Sequence, residues 1–249
     1  VDDDVRAVLA ATFDSAAELY ERARPGFAQS AVDWLLPAGA RRVLDLGAGT
    51  GKLTRQLLAR GLDVVAVDPS PNMLAELSRA APGADTRIGT AEHIGLPDDD
   101  VDVVLASSAF HWFTRPAADV EIARVLKPGG TVGLLWNNRR PDTAAAEVFR
   151  LGRPHPVRRD QRGEEVALDP SYFGPTEHQF FPHTQQVTPD QFVELVASAS
   201  YVIAMEPGQR AELLARVRDH LRTHPELTGR PEIEIEYLTL AVRATSQVR

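Results

Sequence analysis

Between residues 42 and 136 the chain alternates short apolar runs with segments whose apolar residues recur every three or four positions. Runs of the first kind read as strands and segments of the second as amphipathic helices. Strands are expected at Arg42–Asp45, Asp63–Asp68, Thr86–Gly89, Val101–Ser107 and Thr131–Trp136. Helices are expected at Lys52–Arg60, capped by Gly61, at Pro71–Ala80, with a proline in the first turn, and at Pro116–Leu126. Leu126-Lys127-Pro128-Gly129-Gly130 reads as a turn. Val101–Ser107 is apolar almost throughout, which suits a strand covered on both faces. This alternation predicts the α/β class with a doubly wound parallel sheet, whose ligands bind beyond the carboxyl ends of the strands.

The flanks read differently. Val5–Arg22 and Gln29–Leu36 have helical spacing and are taken as an N-terminal helical lid over residues 1–39, ahead of a core at 40–138. Beyond it, Arg139–Glu165 opens as helix and becomes rich in Arg, Pro and Gly. His178–Val187 reads as a strand interrupted by Pro182. Thr188-Pro189-Asp190 starts a helix to Ser198, and a second spans Gln209–His220. The region 188–225 is read as a helical cap within one overall domain. Glu232–Thr245 alternates and reads as a long final strand, with an exposed edge open to a partner.

Composition narrows the function. The 249 residues carry a formal charge of −8 and no Lys/Arg cluster, which disfavours a nucleic-acid partner. The absence of cysteine excludes disulfides, cysteine nucleophiles and thiolate metal sites. No apolar run is long enough to cross a bilayer and no secretory-signal pattern opens the chain, so no membrane partner and a cytoplasmic location are expected. No H-x-x-H or carboxylate pair at ligand spacing stands out, and no metal is expected.

The chemistry concentrates in Val43-Leu44-Asp45-Leu46-Gly47-Ala48-Gly49-Thr50-Gly51-Lys52-Leu53, a strand, a glycine turn and a helix start. A helix N-terminus with bare backbone favours a negative ligand group, and three cofactor classes compete. A P-loop needs glycine at 46 and Ser/Thr at 53, where leucines stand. A dinucleotide loop counted from Gly47 needs glycine at 52, where Lys52 stands. Asp68 suits ribose hydroxyls in either of the remaining classes and does not discriminate.

The third class rests on four segments. Val43 to Gly51 resembles the first motif of the class I S-adenosylmethionine-dependent methyltransferases, and Asp68-Pro69-Ser70-Pro71-Asn72-Met73-Leu74 the second. Thr90-Ala91-Glu92 resembles the third, and Leu126 to Gly130 the turn before the fifth strand. The resemblance implies a Rossmann-like, seven-stranded, mostly parallel sheet with an antiparallel last strand and S-adenosylmethionine as cofactor. It implies cofactor contacts from Asp45, Gly47, Ala48, Gly49, Thr50, Asp68, Pro69, Met73, Ala91, Glu92, Ser107, Trp112 and Arg24. The cofactor's ammonium wants acceptors, which Asp45 and carbonyls near Gly47 supply.

After strand four, members that methylate DNA or protein amides carry a polar-Pro-Pro-aromatic run. This chain has Ser107-Ser108-Ala109-Phe110-His111-Trp112-Phe113 instead. That run, with Tyr20 to Phe27 and Ser198 to Val202, resembles the small-molecule branch of trans-aconitate methyltransferase-like proteins. The resemblance implies methylation of a small-molecule acceptor at a carboxylate or hydroxyl oxygen, with His111 and Tyr20 as catalytic candidates. Arg24, Arg139 and Arg140 are candidates for an acceptor carboxylate. The rival readings are a cofactor-binding regulator without turnover and a nicotinamide-dependent oxidoreductase.

Overall fold

The computed structural model describes residues 19, 22–151 and 168–248. Most of the helix expected at Val5–Arg22, Tyr20 included, and the stretch 152–167 lie outside these residues. The elements in order are α1 (Gln29–Leu35), β1 (Arg42–Leu46), α2 (Lys52–Leu58), β2 (Asp63–Asp68), α3 (Pro71–Ala80), β3 (Asp85–Ile88) and β4 (Val101–Ser107). A single 3-10 turn at Phe110–Trp112 precedes α4 (Ala117–Val125), β5 (Leu126–Arg139) and α5 (Ala144–Arg150). The chain continues through β6 (Glu177–Val187), α6 (Pro189–Ala197), α7 (Ser200–Ile203), α8 (Pro207–Thr223) and β7 (Ile233–Thr245).

The seven strands form one sheet in the order β3-β2-β1-β4-β5-β7-β6. β1 pairs in parallel with β2 and β4, β2 with β3, and β4 with β5. The Arg140 N–H donates to the Glu236 carbonyl and the Ser246 N–H to the Gly130 carbonyl, so numbers rise along β5 as they fall along β7. β7 is therefore antiparallel, as expected of a Rossmann-like class I methyltransferase sheet. It does not leave an open edge: it lies between β5 and β6. β6 is the edge strand, and this is why Pro182 sits within it, since an edge position spares the missing N–H.

One expected turn is a strand. β5 begins at Leu126, pairs there with Val101, and shifts register before Val103. A Cβ on Gly130 would lie 2.9 Å from the Lys127 carbonyl and 3.0 Å from that of Asp102, so a glycine lets the chain bulge and stay in the ladder.

Packing divides the chain into two compact units. The first contains the described residues 26–137, 168–181 and 239–248. Alternation along its strands buries both faces: Leu44, Leu46, Val65, Val67, Val104 and Ala106 join one core, while Val43, Val64, Val103 and Leu105 join another. The loop before α1 is fastened by polar clasps. Gln56 on α2 accepts the Phe27 N–H at 3.0 Å and donates to its carbonyl at 2.8 Å. Thr239 accepts the Ala28 N–H at 3.2 Å and donates to Asn137 at 2.7 Å, and Asn137 donates to the Gly26 carbonyl at 2.9 Å.

The second unit contains 22–25, 138–151 and 182–238. Its core packs Val148 and Phe149 of α5, Phe192, Leu195 and Val196 of α6, Leu213 and Val217 of α8, and Ile233 and Ile235. Phe149 and Phe192 stack at 4.8 Å. α6 opens with a full capping box between Thr188 and Gln191. Among the described residues no helix is long and apolar enough to cross a membrane.

Candidate active site

The glycine turn between β1 and α2 is closed by its own backbone. Gly47 and Ala48 donate their N–H groups to the Val67 carbonyl, at 2.8 and 3.0 Å, and Gly51 donates to Ala48 at 3.0 Å. The Gly49 N–H donates to Asp68 Oδ2 at 2.8 Å. Four of the amides a phosphate nest would need are thus satisfied within the protein. Two glycines are sterically required. Gly47 has φ +70°, and a Cβ there would lie 2.5 Å from that of Ala109. Gly51 has φ +86°, and a Cβ would lie 2.8 Å from Leu77 Cγ. At Gly49, with φ +55°, a Cβ would meet nothing within 4 Å, so this backbone borders open space.

Two carboxylates flank the turn. Asp68, buried at the end of β2, accepts Gly49 N–H with one oxygen and Ser70 N–H, at 2.9 Å, with the other. Asp45 is fully buried on β1 and accepts the Thr54 hydroxyl at 2.6 Å. Its other oxygen, Oδ1, has no hydrogen-bond partner, and neither has the hydroxyl of buried Thr50. Burial pushes the Asp45 carboxyl up to about 7; the Thr54 bond opposes this, and the charge of Asp68 reinforces it.

The segments after β3 and β4 close on each other. Thr90 and His93 exchange both backbone hydrogen bonds at 3.1 Å, leaving Ala91 and Glu92 at the turn. Glu92 accepts the Thr114 N–H. Partial burial raises its carboxyl, but bonds from Thr114, from its own N–H and from Thr90 outweigh that and hold it below the usual range. Beyond Ser107, Ser108 adopts φ +54° and donates its N–H to Leu135 at 2.8 Å, which turns Ala109 against Gly47. Phe110 and Phe113 meet edge to face at 5.6 Å, with Phe110 buried. His111 is exposed, its ring 5.0 Å from that of half-buried Trp112. Met73 is buried in the first turn of α3, its N–H donated to Ser70 Oγ, and Pro69 is exposed.

Asp45, the 47–50 turn, Asp68, Pro69, Met73, Ala91, Glu92, Ser107, His111 and Trp112 all belong to the first unit. Arg24 belongs to the second, where it donates to Ser198 Oγ at 3.0 Å and to the Ser198 carbonyl at 3.2 Å. Tyr20 lies outside the described residues. Arg139 lies over the Phe149 ring at 3.6 Å and the Tyr237 ring at 5.8 Å, and His183 stacks on Tyr237 at 5.1 Å. Burial raises the Tyr237 hydroxyl above its ordinary range against the opposing pull of Arg139 and Arg24. Arg140 is exposed beside Glu236 at 3.5 Å.

Sequence reasoning missed Thr54 under Asp45, the Val67 carbonyl under the turn and Ala109 against Gly47. Thr54 had a signal: a buried hydroxyl one turn into the helix after an acidic strand end. The other two are backbone or steric contacts with no residue-type signature.

A cofactor with ribose hydroxyls and a cationic amino-acid end fits these groups. Asp68 brings a carboxylate to the turn at the end of β2, Asp45 Oδ1 is an unsatisfied buried acceptor, and Gly49 borders open space. A phosphate does not fit amides already spent. The comparisons agree. A methyltransferase-domain family profile matches residues 44–134. An uncharacterized methyltransferase of Mycobacterium tuberculosis is 46% identical over 240 residues, covering 96% of this chain and 98% of that one. An uncharacterized methyltransferase-like protein of Schizosaccharomyces pombe is 33% identical over 92% of this chain and 93% of its own. The fold matches a provisionally assigned type II methyltransferase of Anaeromyxobacter dehalogenans with TM-score 0.69, at 24% identity over 90% of this chain and 98% of that one. With its sheet order, its glycine turn and these relatives, the chain belongs to the class I S-adenosylmethionine-dependent methyltransferase family.

Proposed function

We propose that this methyltransferase moves a methyl group from S-adenosylmethionine to an oxygen, carboxylate or hydroxyl, of a small-molecule acceptor, within the branch that resembles trans-aconitate methyltransferase. The observation that carries the reading is the glycine turn with its amides spent and two carboxylates beside it. That arrangement suits a cationic, ribose-bearing donor. When bound, the cofactor supplies an electrophilic methyl on a sulfonium and leaves as S-adenosylhomocysteine; the transfer itself needs no metal.

The residues supply position. Asp68 accepts the ribose hydroxyls, charge-assisted bonds roughly twice as strong as neutral ones. Asp45 takes the ammonium, directly or through water. Met73 and the turn at Ala91 and Glu92 border the adenine. Holding acceptor and methyl in line contributes up to about 10 kcal/mol in small-molecule systems, so an alkoxide or carboxylate acceptor leaves little for a base to do. His111 orients a hydroxyl acceptor and removes its proton; Tyr20, the other catalytic candidate that the resemblance implies, lies outside the described residues. The net charge of −8 disfavours a nucleic-acid acceptor.

Equilibrium titration with S-adenosylhomocysteine and NADH, followed by a radiolabelled-methyl screen over small acids, phenols and amines, tests this. Micromolar or tighter S-adenosylhomocysteine binding and label on an acid or phenol are expected. No affinity for it, or preference for NADH, overturns the donor assignment. Binding without turnover on any acceptor points to the regulator.

A further inference from the structure

The last turn of α8 carries His220, with His224 at its C-cap four residues on, so both rings lie on one side of the helix end. Their centroids are 5.1 Å apart. Glu147, on α5 in the same unit, brings a carboxylate oxygen to 3.6 Å from His224 Nε2. One ligand-type atom from each of the three lies within 4.8 Å of the others. His220 Nε2 is buried and has no hydrogen-bond partner. A buried imidazole nitrogen left unsatisfied costs free energy that a bound cation removes. The sequence reading sought H-x-x-H and passed over His220-Leu221-Arg222-Thr223-His224, whose spacing is one helical turn.

We propose that His220, His224 and Glu147 bind a divalent transition-metal cation of the zinc type. Two imidazoles and one carboxylate are a borderline-soft donor set, suited to zinc rather than to magnesium or calcium, which take oxygen ligands. Zinc bonds of about 2.0–2.2 Å require the ligand atoms to close in by on the order of 1 Å, within reach of side-chain rotation. The position lies at the negative end of a 17-residue helix, where a cation is favoured. Glu147 is exposed, so the fourth position opens to solvent water. Without metal, His224 Nδ1 accepts the Glu226 N–H at 3.2 Å, which places the ring proton on Nε2, toward Glu147. Coordination through Nε2 moves that proton to Nδ1 and gives up the long Glu226 bond. The Glu226 amide resonance therefore reports occupancy.

The test uses the full chain without a histidine tag, stripped with a chelator and titrated with Zn²⁺ against a chromophoric competitor. One Zn²⁺ per chain is expected, with the melting temperature raised by about 5–10 °C at roughly 100 times Kd. Co²⁺ in place of Zn²⁺ should give the intense visible bands of four-coordinate nitrogen and oxygen ligation, a readout that needs no variant. His220→Gln and His224→Gln should each weaken binding at least about tenfold, and Glu147→Gln should also weaken it. His178→Gln, on β6, should leave it unchanged. An octahedral-type Co²⁺ spectrum, absence of Zn²⁺ binding, or binding that survives in the His220→Gln/His224→Gln double variant overturns the proposal.

Discussion

Replacing Asp45 by asparagine separates the energetic cost of the site from its use. Wild-type Asp45 holds its proton to about pH 7, whereas the unfolded chain releases it near 3.8. A carboxyl raised in the folded state contributes stability that is complete below 3.8 and is lost as pH rises to 7. At about 1.4 kcal/mol per pH unit that loss is about 4 kcal/mol. The asparagine side chain carries no such penalty, and Thr54 can still donate to its carbonyl. Its NH₂ group, however, enters the position of Oδ1, which has no partner, at a cost of about 1–3 kcal/mol. The two terms cross. Near pH 4 the variant should be less stable than wild type by about 1–3 kcal/mol, and near pH 8 more stable by a similar amount. Urea midpoints followed by tryptophan fluorescence from pH 4 to 9 measure this, carboxyls other than Asp68, which couples to Asp45, cancelling in the difference. Parallel curves, with no change of sign, refute the reasoning. The same variant should lose at least about tenfold in S-adenosylmethionine affinity, since the ammonium then meets an amide.

Gly47→Ala should lower the melting temperature by more than Gly49→Ala, because only the first adds a 2.5 Å contact to the strain of positive φ; calorimetry ranks them, and Gly49→Ala should show its larger effect on cofactor binding. Asp68→Ala should weaken S-adenosylhomocysteine binding strongly in a fluorescence titration; unchanged affinity removes the ribose assignment. Asp102 opposes its own desolvation with bonds from the Arg42 and Arg41 amides and Lys127, which bring its carboxyl down to about 2. That stability is present above about pH 4 and lost as pH falls through 2, so Asp102→Asn should destabilise by about 1–2 kcal/mol at pH 7 and by little near pH 2 in urea titrations. His111→Ala should cut kcat about 10²-fold or more on a hydroxyl acceptor while leaving S-adenosylhomocysteine affinity within about threefold; equal losses in both make it a packing residue.

The parallel core was legible because its signals are local. Valine runs end in an acid, glycines follow at fixed intervals, and the pattern excluded two cofactor classes by what stood at 46, 52 and 53. What escaped was set by partners distant in sequence. Leu126 to Gly130 has turn chemistry, yet pairing with Val101 keeps it in the ladder. Glu92 carries no mark that its carboxylate reaches Thr114, 22 residues on. The final strand looked like an edge because sequence order hides the β7-β6 exchange. Pro182 was the available clue, since a proline within a strand points to β6 at the border.

Asp68 has one further consequence. Its carboxylate holds the Gly49 amide and, under the proposed donor assignment, also receives the ribose, so loop shape and cofactor preference share one side chain. A substitution there intended to redirect the enzyme to an altered nucleoside also removes the acceptor that holds the Gly49 amide of the turn. Changes at 68 should therefore be strongly non-additive with changes at 47 to 51, and an engineer should vary them as one block.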